Sequence, residues 1–132
     1  MAAMTDYLED IVLEMVLNSV TFAEPASTYI ALFTAAPNDT AGSGTEVTGG
    51  AYARQQITAD WTISGTATRA QNASVVTFPV ATANWGTIGW VAIFDAVTTG
   101  NMLFHGALAA TKIVNNSDQL EFPAGQLGVT LT

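Results

Sequence analysis

The first regular pattern along the chain predicts an amphipathic helix from Asp6 to Asn18. Thr5 precedes it and is a residue type that caps helix N-termini through its side-chain oxygen. Carboxylates follow in the first turns, where they favour the positive end of the helix dipole. Apolar residues recur at the helical spacing of 3.6 residues, at Leu8, Ile11, Val12 and Met15.

The same pattern leaves two roles open for this helix. Leu13, Val16 and Leu17 widen the apolar stripe beyond one face, so the helix has more apolar surface than a single contact needs. It can cover one end of its own domain, or it can dock on a neighbouring subunit. The candidate interface residues on it are Tyr7, Leu8, Ile11, Val12 and Met15.

From Ser27 onward, short runs of β-branched and aromatic residues predict strands separated by turn clusters. The run "TIGWVAIFDA" is apolar at consecutive positions, which predicts a central strand buried on both faces. Another strand is predicted from about Trp61 to Thr68. The turns "DAVTTGN" and "VNNSD" predict hairpin-type connections. The other strand candidates are "STYIALFT", "AYARQQIT", "ASVVTFPV", "NMLFHGALAA", "DQLEFPA" and "LGVTLT".

These elements predict a mainly β fold, with an N-terminal α-helix followed by an antiparallel β-sandwich of about eight strands, arranged as a jelly roll. We expect one domain over residues 1–132, with the helix and a linker in residues 1–26 and the jelly roll in residues 27–132. The chain has no internal repeat of 20 to 50 residues and no composition shift that would mark a second domain.

The net charge of the chain limits which classes of partner it can bind. The net charge is -8, with three basic residues against eleven acidic ones. Nucleic-acid binding needs several Lys or Arg side chains to displace counterions from phosphates, so we expect no nucleic-acid partner. The same balance disfavours an anionic membrane surface.

Charged residues are only 11% of the chain, against about 25% in a typical soluble protein. A surface poor in Lys and Glu resembles a protein–protein interface, and the alternative is an ordinary neutral surface of a β protein.

The N-terminus has no basic region before its apolar residues, and no run of about 20 apolar residues occurs. We therefore expect neither a secretory signal nor a membrane-spanning helix, and the protein is expected to be made in the cytoplasm.

The stretch "GSGTEVTGGAYARQ", residues 42 to 55, raises the question of a phosphate-binding loop. A P-loop needs four residues between its glycines and then Gly-Lys-Ser/Thr opening a helix, and no lysine follows here. We instead expect the glycines to permit positive φ in a loop between strands. Residues 42 to 50 are a candidate contact loop. Glu46 and Arg54 are expected to pair across it or to reach a neighbour.

The side chains needed for catalysis or metal binding are sparse. The chain has no cysteine and one histidine, His105, which lies within a predicted strand, so a zinc site of three or four ligands is not available. No G-x-S-x-G pattern marks a nucleophile, and the carboxylates are scattered along the chain. We expect a non-enzymatic protein without a cofactor; a glycan hydrolase is the enzyme alternative.

The three tryptophans are candidates for sugar binding, although core or interface positions are commoner for this residue. Trp90 lies in the most apolar strand, whereas Trp85 lies in "TANWGT" just before it. Trp85 is therefore the one we expect to be exposed, and we count it among the candidate interface residues.

Several stretches together resemble a family of small structural proteins of tailed bacteriophages. They are "YIALFTAAPNDT", "GSGTEVTGGAYARQ", "FPVATANWGTIGWVAIFDA", "NMLFHGALAATKIV" and "FPAGQLGVTL". The resemblance runs from about residue 28 to the C-terminus and implies a virion structural role. It carries no catalytic residues.

The sequence hypothesis is a capsid cement, or decoration, protein on the outer surface of the head. It would bind the major capsid protein and its own copies as a homodimer or homotrimer. The alternative is a tail-fibre or baseplate component that acts as an adaptor or receptor-binding module. Exposed aromatic residues would favour this alternative.

Overall fold

The computed structural model describes residues 3–65 and 68–131. Within them the chain forms one helix, α1 (Asp6–Leu17), and eleven strands. The strands are β1 (Ala3–Met4), β2 (Thr28–Ala35), β3 (Thr45–Glu46), β4 (Gln55–Ile57), β5 (Trp61–Ser64), β6 (Arg69–Asn72), β7 (Val76–Thr77), β8 (Gly86–Phe94), β9 (Met102–Val114), β10 (Glu121–Phe122) and β11 (Gly128–Thr130).

The predicted helix is confirmed at both ends. Thr5 is its N-cap, and the Thr5 hydroxyl oxygen accepts a hydrogen bond from the Leu8 amide at 3.4 Å. Asn18 is the C-cap, and its amide still donates to the Glu14 carbonyl at 3.0 Å. Ser19 then takes a left-handed conformation with φ of 57°, which ends the helix.

The largest sheet has the strand order β1-β9-β8-β2-β3, and β4 pairs with the same edge of β2 as β3 does. Every pairing in it is antiparallel. β8 lies between β9 and β2, so the central position predicted from its unbroken apolar run is confirmed. Ile30 faces Ile93 across the β2–β8 pair, and Leu32 faces Val91. The register puts these residues on one face and Ala31 and Ala92 on the other.

Two smaller antiparallel sheets, β11-β6-β5 and β10-β7, complete the β structure. Their apolar residues and those of adjoining loops pack against one face of the largest sheet and form the main core. The fold is thus mainly β with antiparallel sheets and one N-terminal helix, as predicted. Core residues include Ile30, Leu32, Ile88 and Ile93 from the largest sheet and Val76, Phe78, Phe122, Leu127 and Val129 from the other side.

A buried asparagine joins the two smaller sheets. Asn72, at the end of β6, is 1% exposed. Its side-chain amide donates to the carbonyls of Ser74 at 2.9 Å and Pro123 at 3.1 Å, and its side-chain oxygen accepts from the Leu127 amide at 2.9 Å. These bonds satisfy backbone groups that would otherwise be buried without a partner.

Several boundaries differ from the prediction. β1, β3 and β6 were not predicted: β1 and β3 have only two residues each, and β6 reads Arg-Ala-Gln-Asn, a polar sequence with weak strand preference. The turn "VNNSD" does not make a hairpin, because β9 pairs with β8 and β1 whereas β10 pairs with β7. Residues 66 and 67 of the predicted strand that begins at Trp61, and the last residue of the final one, lie outside the described part.

Candidate functional site

The glycine-rich stretch is a set of turns around the short strand β3. Gly44, Gly49 and Gly50 have φ of 96°, 74° and 58°, so the predicted positive φ is confirmed at these three positions. At Gly44 a Cβ atom would lie 2.8 Å from the Cα of Pro37, which leaves no room for a side chain. The stretch leads into strand β4 and not into a helix, so the geometry of a P-loop is not formed here.

Glu46 and Arg54 form the predicted pair across this stretch. The Arg54 Nε and Nη2 atoms each donate to a different carboxylate oxygen of Glu46 at 2.8 Å, which is a two-pronged contact. The Arg54 side chain is only 7% exposed. Its Nη1 atom donates to the carbonyls of Ala96 at 3.0 Å and Thr99 at 2.7 Å. The pair therefore connects β3 to the turn between β8 and β9.

Two further contacts extend this network. The Arg54 guanidinium lies 3.6 Å from the centre of the Phe94 ring, a cation–π contact. The Tyr52 hydroxyl donates to Glu46 at 2.8 Å and accepts from the Leu32 amide at 3.0 Å. Burial raises the pKa of Tyr52 far above its usual range, and the nearby Glu46 carboxylate adds to the effect. Tyr52 therefore remains a hydrogen-bond donor to Glu46.

The prediction that Trp85 is exposed is wrong. Trp85 is 5% exposed and belongs to the main core, where its ring makes edge contacts with Tyr52 and Phe78. Its indole N–H donates to the Gly50 carbonyl at 2.9 Å. The polar residues before it suggested a loop, but Trp85 already pairs with β9 through its amide, which donates to Val114. The indole is thus unavailable as an exposed contact residue.

Gly50 and Gly49 offer a matched test of this packing. A Cβ atom at Gly50 would lie 2.9 Å from the Trp85 indole nitrogen, whereas one at Gly49 would have no neighbour within 4 Å. Both residues have positive φ, so Ala at either position carries a similar backbone cost of about 1–2 kcal/mol. We expect Gly50→Ala to be less stable than Gly49→Ala by at least about 1 kcal/mol in urea unfolding. Equal stabilities of the two variants would contradict this account of Trp85.

The helix α1 is attached to the sheet through its N-terminus. The Thr5 hydroxyl donates to the Met102 carbonyl at 2.6 Å, and the Thr5 amide donates to the Leu103 carbonyl at 3.0 Å. β1, just before it, pairs with β9 at Phe104 and His105.

No residue within α1 is buried. Among the candidate interface residues, Leu8, Ile11 and Val12 are half-buried, whereas Tyr7 and Met15 are exposed. The last turns are more exposed still: Leu13, Val16 and Leu17 are 55%, 68% and 72% exposed. The helix therefore covers its own domain only in part.

The lone histidine has a local partner. His105 lies in β9, and its Nε2 atom is 2.7 Å from the Asp39 carboxylate. The His105 side chain is 15% exposed. Across residues 3–65 and 68–131, no group of three or more Asp, Glu or His side chains is arranged to hold a metal ion. No helix in the described chain is long and apolar enough to cross a membrane.

Sequence reasoning missed a groove between the largest sheet and the three-stranded sheet. Two adjoining cavities of about 290 and 570 Å³ form it, and both are lined by Trp61, Arg69 and Phe104. The groove forms because β9 and β11 come together only in the folded chain, so its residues share no pattern in sequence.

The fold and these contacts define a class of protein. It is a small β module whose loops are tied together by an internal network, with apolar helix surface left exposed. The chain belongs to the family described as podophage GP4 fiber I protein gp80, whose family model matches residues 3–130. It is thus a structural protein of a tailed-phage virion, as its sequence resemblance implied. No curated protein matches the chain.

Proposed function

We propose that this chain is a component of the tail fibre of a podophage, with a non-enzymatic, structural role. The observation that carries the proposal is the family match over residues 3–130, because the description of that family names a fibre protein. The description favours the tail over the head. For this reason the fibre role, the alternative in the sequence analysis, replaces capsid cement as the preferred function.

The arrangement of the chain supports assembly into a larger structure. The network around Arg54 ties β3 to the β8–β9 turn, which suits a module that must keep its shape under load. The exposed apolar residues of α1 suit a contact with a neighbour in the particle, because surfaces of this kind mark interaction sites. Its partners are then fibre proteins or copies of itself; the major capsid protein is the partner that the cement role would require.

The position of the chain in the particle tests this function. Cryo-electron microscopy would reconstruct the head and the tail of the intact virion separately. Particles assembled without this chain would serve as the control for a difference map. We expect difference density of this fold on the tail. Density repeated over the head lattice, with none on the tail, would overturn the fibre role and support the cement role.

A further inference from the structure

The groove between the two sheets is lined mainly by apolar side chains, and the positively charged side chain of Arg69 also lines it. Its wider part, of about 570 Å³, is lined by Ile63, Ile93, Phe104, Val129 and Leu131 together with Trp61. Ile63 and Leu131 are exposed at its rim. A volume of this size accommodates several aliphatic side chains.

Arg69 lies in this groove and lacks an acidic partner. Its Nη1 atom donates to the Gln71 side chain at 2.6 Å, and its Nη2 atom is 3.5 Å from the Gly125 carbonyl. The ion pairs among the described residues involve Arg54 and His105 but not Arg69. In a chain with eleven acidic residues, a half-buried guanidinium without a carboxylate is a site that an incoming acidic group would complement.

The end of α1 carries the complementary features. Leu13, Val16 and Leu17 follow the i, i+3, i+4 spacing with which a helix fills an apolar groove, and all three are exposed. Val20, which follows the end of the helix, is exposed as well. The Val20 amide donates back to the Glu14 carbonyl at 3.2 Å, which keeps Val20 beside the last turn. Glu14 is exposed within the same turns, and no Lys or Arg precedes residue 54 in the chain.

We propose that the end of α1 from one copy of this chain docks into the inter-sheet groove of a second copy, with Glu14 placed against Arg69. The occupant is a second copy because one chain carries both the apolar helix surface with its acidic residue and the apolar groove with its unpaired cation. None of the residues that line the groove belongs to α1. The contact joins two different surfaces, so repeated contacts close into a ring or extend into a filament. This inference goes beyond the fibre assignment and does not depend on it.

Charge exchange tests the Glu14–Arg69 contact. The chain would be studied by sedimentation velocity over a range of concentrations, with circular dichroism to show that each variant folds. We expect the parent chain to self-associate and Glu14→Arg to weaken association by about tenfold or more. Glu24→Arg, the same charge change at an exposed residue outside α1, is the control and should leave association unchanged. Adding Arg69→Glu to Glu14→Arg should restore it.

A mixing experiment keeps the proposal testable even if Arg69→Glu fails to fold. Leu17→Lys damages the helix surface and leaves the groove intact, whereas Ile63→Lys damages the groove rim and leaves the helix intact; both positions are exposed. We expect each variant alone to be monomeric and an equal mixture to form a dimer that grows no further, because one helix–groove contact remains possible.

Three outcomes would overturn the proposal: a parent chain that stays monomeric, association that Ile63→Lys leaves intact, or a mixture that fails to dimerise. The cryo-electron microscopy result is independent of these outcomes, so failure of this inference and failure of the fibre role can be told apart.

Discussion

Replacing Arg54 with methionine is expected to lower the free energy of unfolding by about 3 kcal/mol, the lower end of the cost of removing one partner from a buried ion pair, because the Glu46 side chain is 24% exposed. Methionine keeps an unbranched apolar side chain over Phe94 but removes the guanidinium. Glu46 would lose both of its hydrogen bonds from Arg54, and the carbonyls of Ala96 and Thr99 would lose a donor. The loss is large because the Arg54 side chain is only 7% exposed, so water replaces these bonds poorly.

Urea unfolding followed by circular dichroism measures this effect. Lys112→Met is the matched control, since Lys112 is an exposed residue of β9 and its change should cost less than about 0.5 kcal/mol. Adding Glu46→Gln to Arg54→Met should recover part of the loss, because the half-buried side chain at position 46 would then be neutral. If Arg54→Met is within about 1 kcal/mol of the parent chain, the network does not stabilise the fold as described here.

The second large effect is expected at Phe78, which is fully buried at 0% exposure. Its ring stacks on Tyr52 at a centroid distance of 6.1 Å and meets Trp85 and Phe122 edge-on at 6.4 and 6.3 Å. Phe78→Ala removes the centre of this cluster and leaves a cavity, so we expect a loss of about 3–5 kcal/mol. Phe78→Leu should lose less, because it fills part of the space.

The same unfolding measurement distinguishes a cavity from a general loss of structure. Val80→Ala, two residues further on and exposed, should be nearly neutral and serves as the control. A dry apolar cavity binds small apolar molecules, so benzene should raise the thermal midpoint of Phe78→Ala and leave that of the parent chain unchanged. A Phe78→Ala variant as stable as Val80→Ala would show that the aromatic cluster is not the centre of the core.

Local interactions explain which elements the sequence predicts well. The helix α1 depends on contacts three and four residues apart and on the cap at Thr5, and all of these are visible in a short window. The central strand β8 was predicted because both of its faces are buried, so its apolar run is unbroken. The Glu46–Arg54 pair was predicted because its members lie only eight positions apart in the sequence, on either side of a turn.

The errors concern residues whose surroundings come from distant parts of the chain. Trp85 stands among polar neighbours in sequence, and it is buried because Gly50 leaves space for the indole and accepts its hydrogen bond. β6 is polar in sequence, and its Asn72 is buried because the Pro123 carbonyl, just after β10, and the Leu127 amide, just before β11, surround it. No pattern of neighbouring residues in the sequence predicts such distant partners.

The amino-acid sequence by itself determined the helix, the mainly β class, the acidic charge balance and the resemblance to phage structural proteins, because these depend on local periodicity, composition and motifs. Only the tertiary structure decided which side chains are buried, that Arg69 lies without a carboxylate in an apolar groove, and that the end of α1 remains exposed. The physical reason is that burial and pairing depend on contacts between residues far apart in the chain, and only strand pairing together with the packing of one sheet on another brings these residues together.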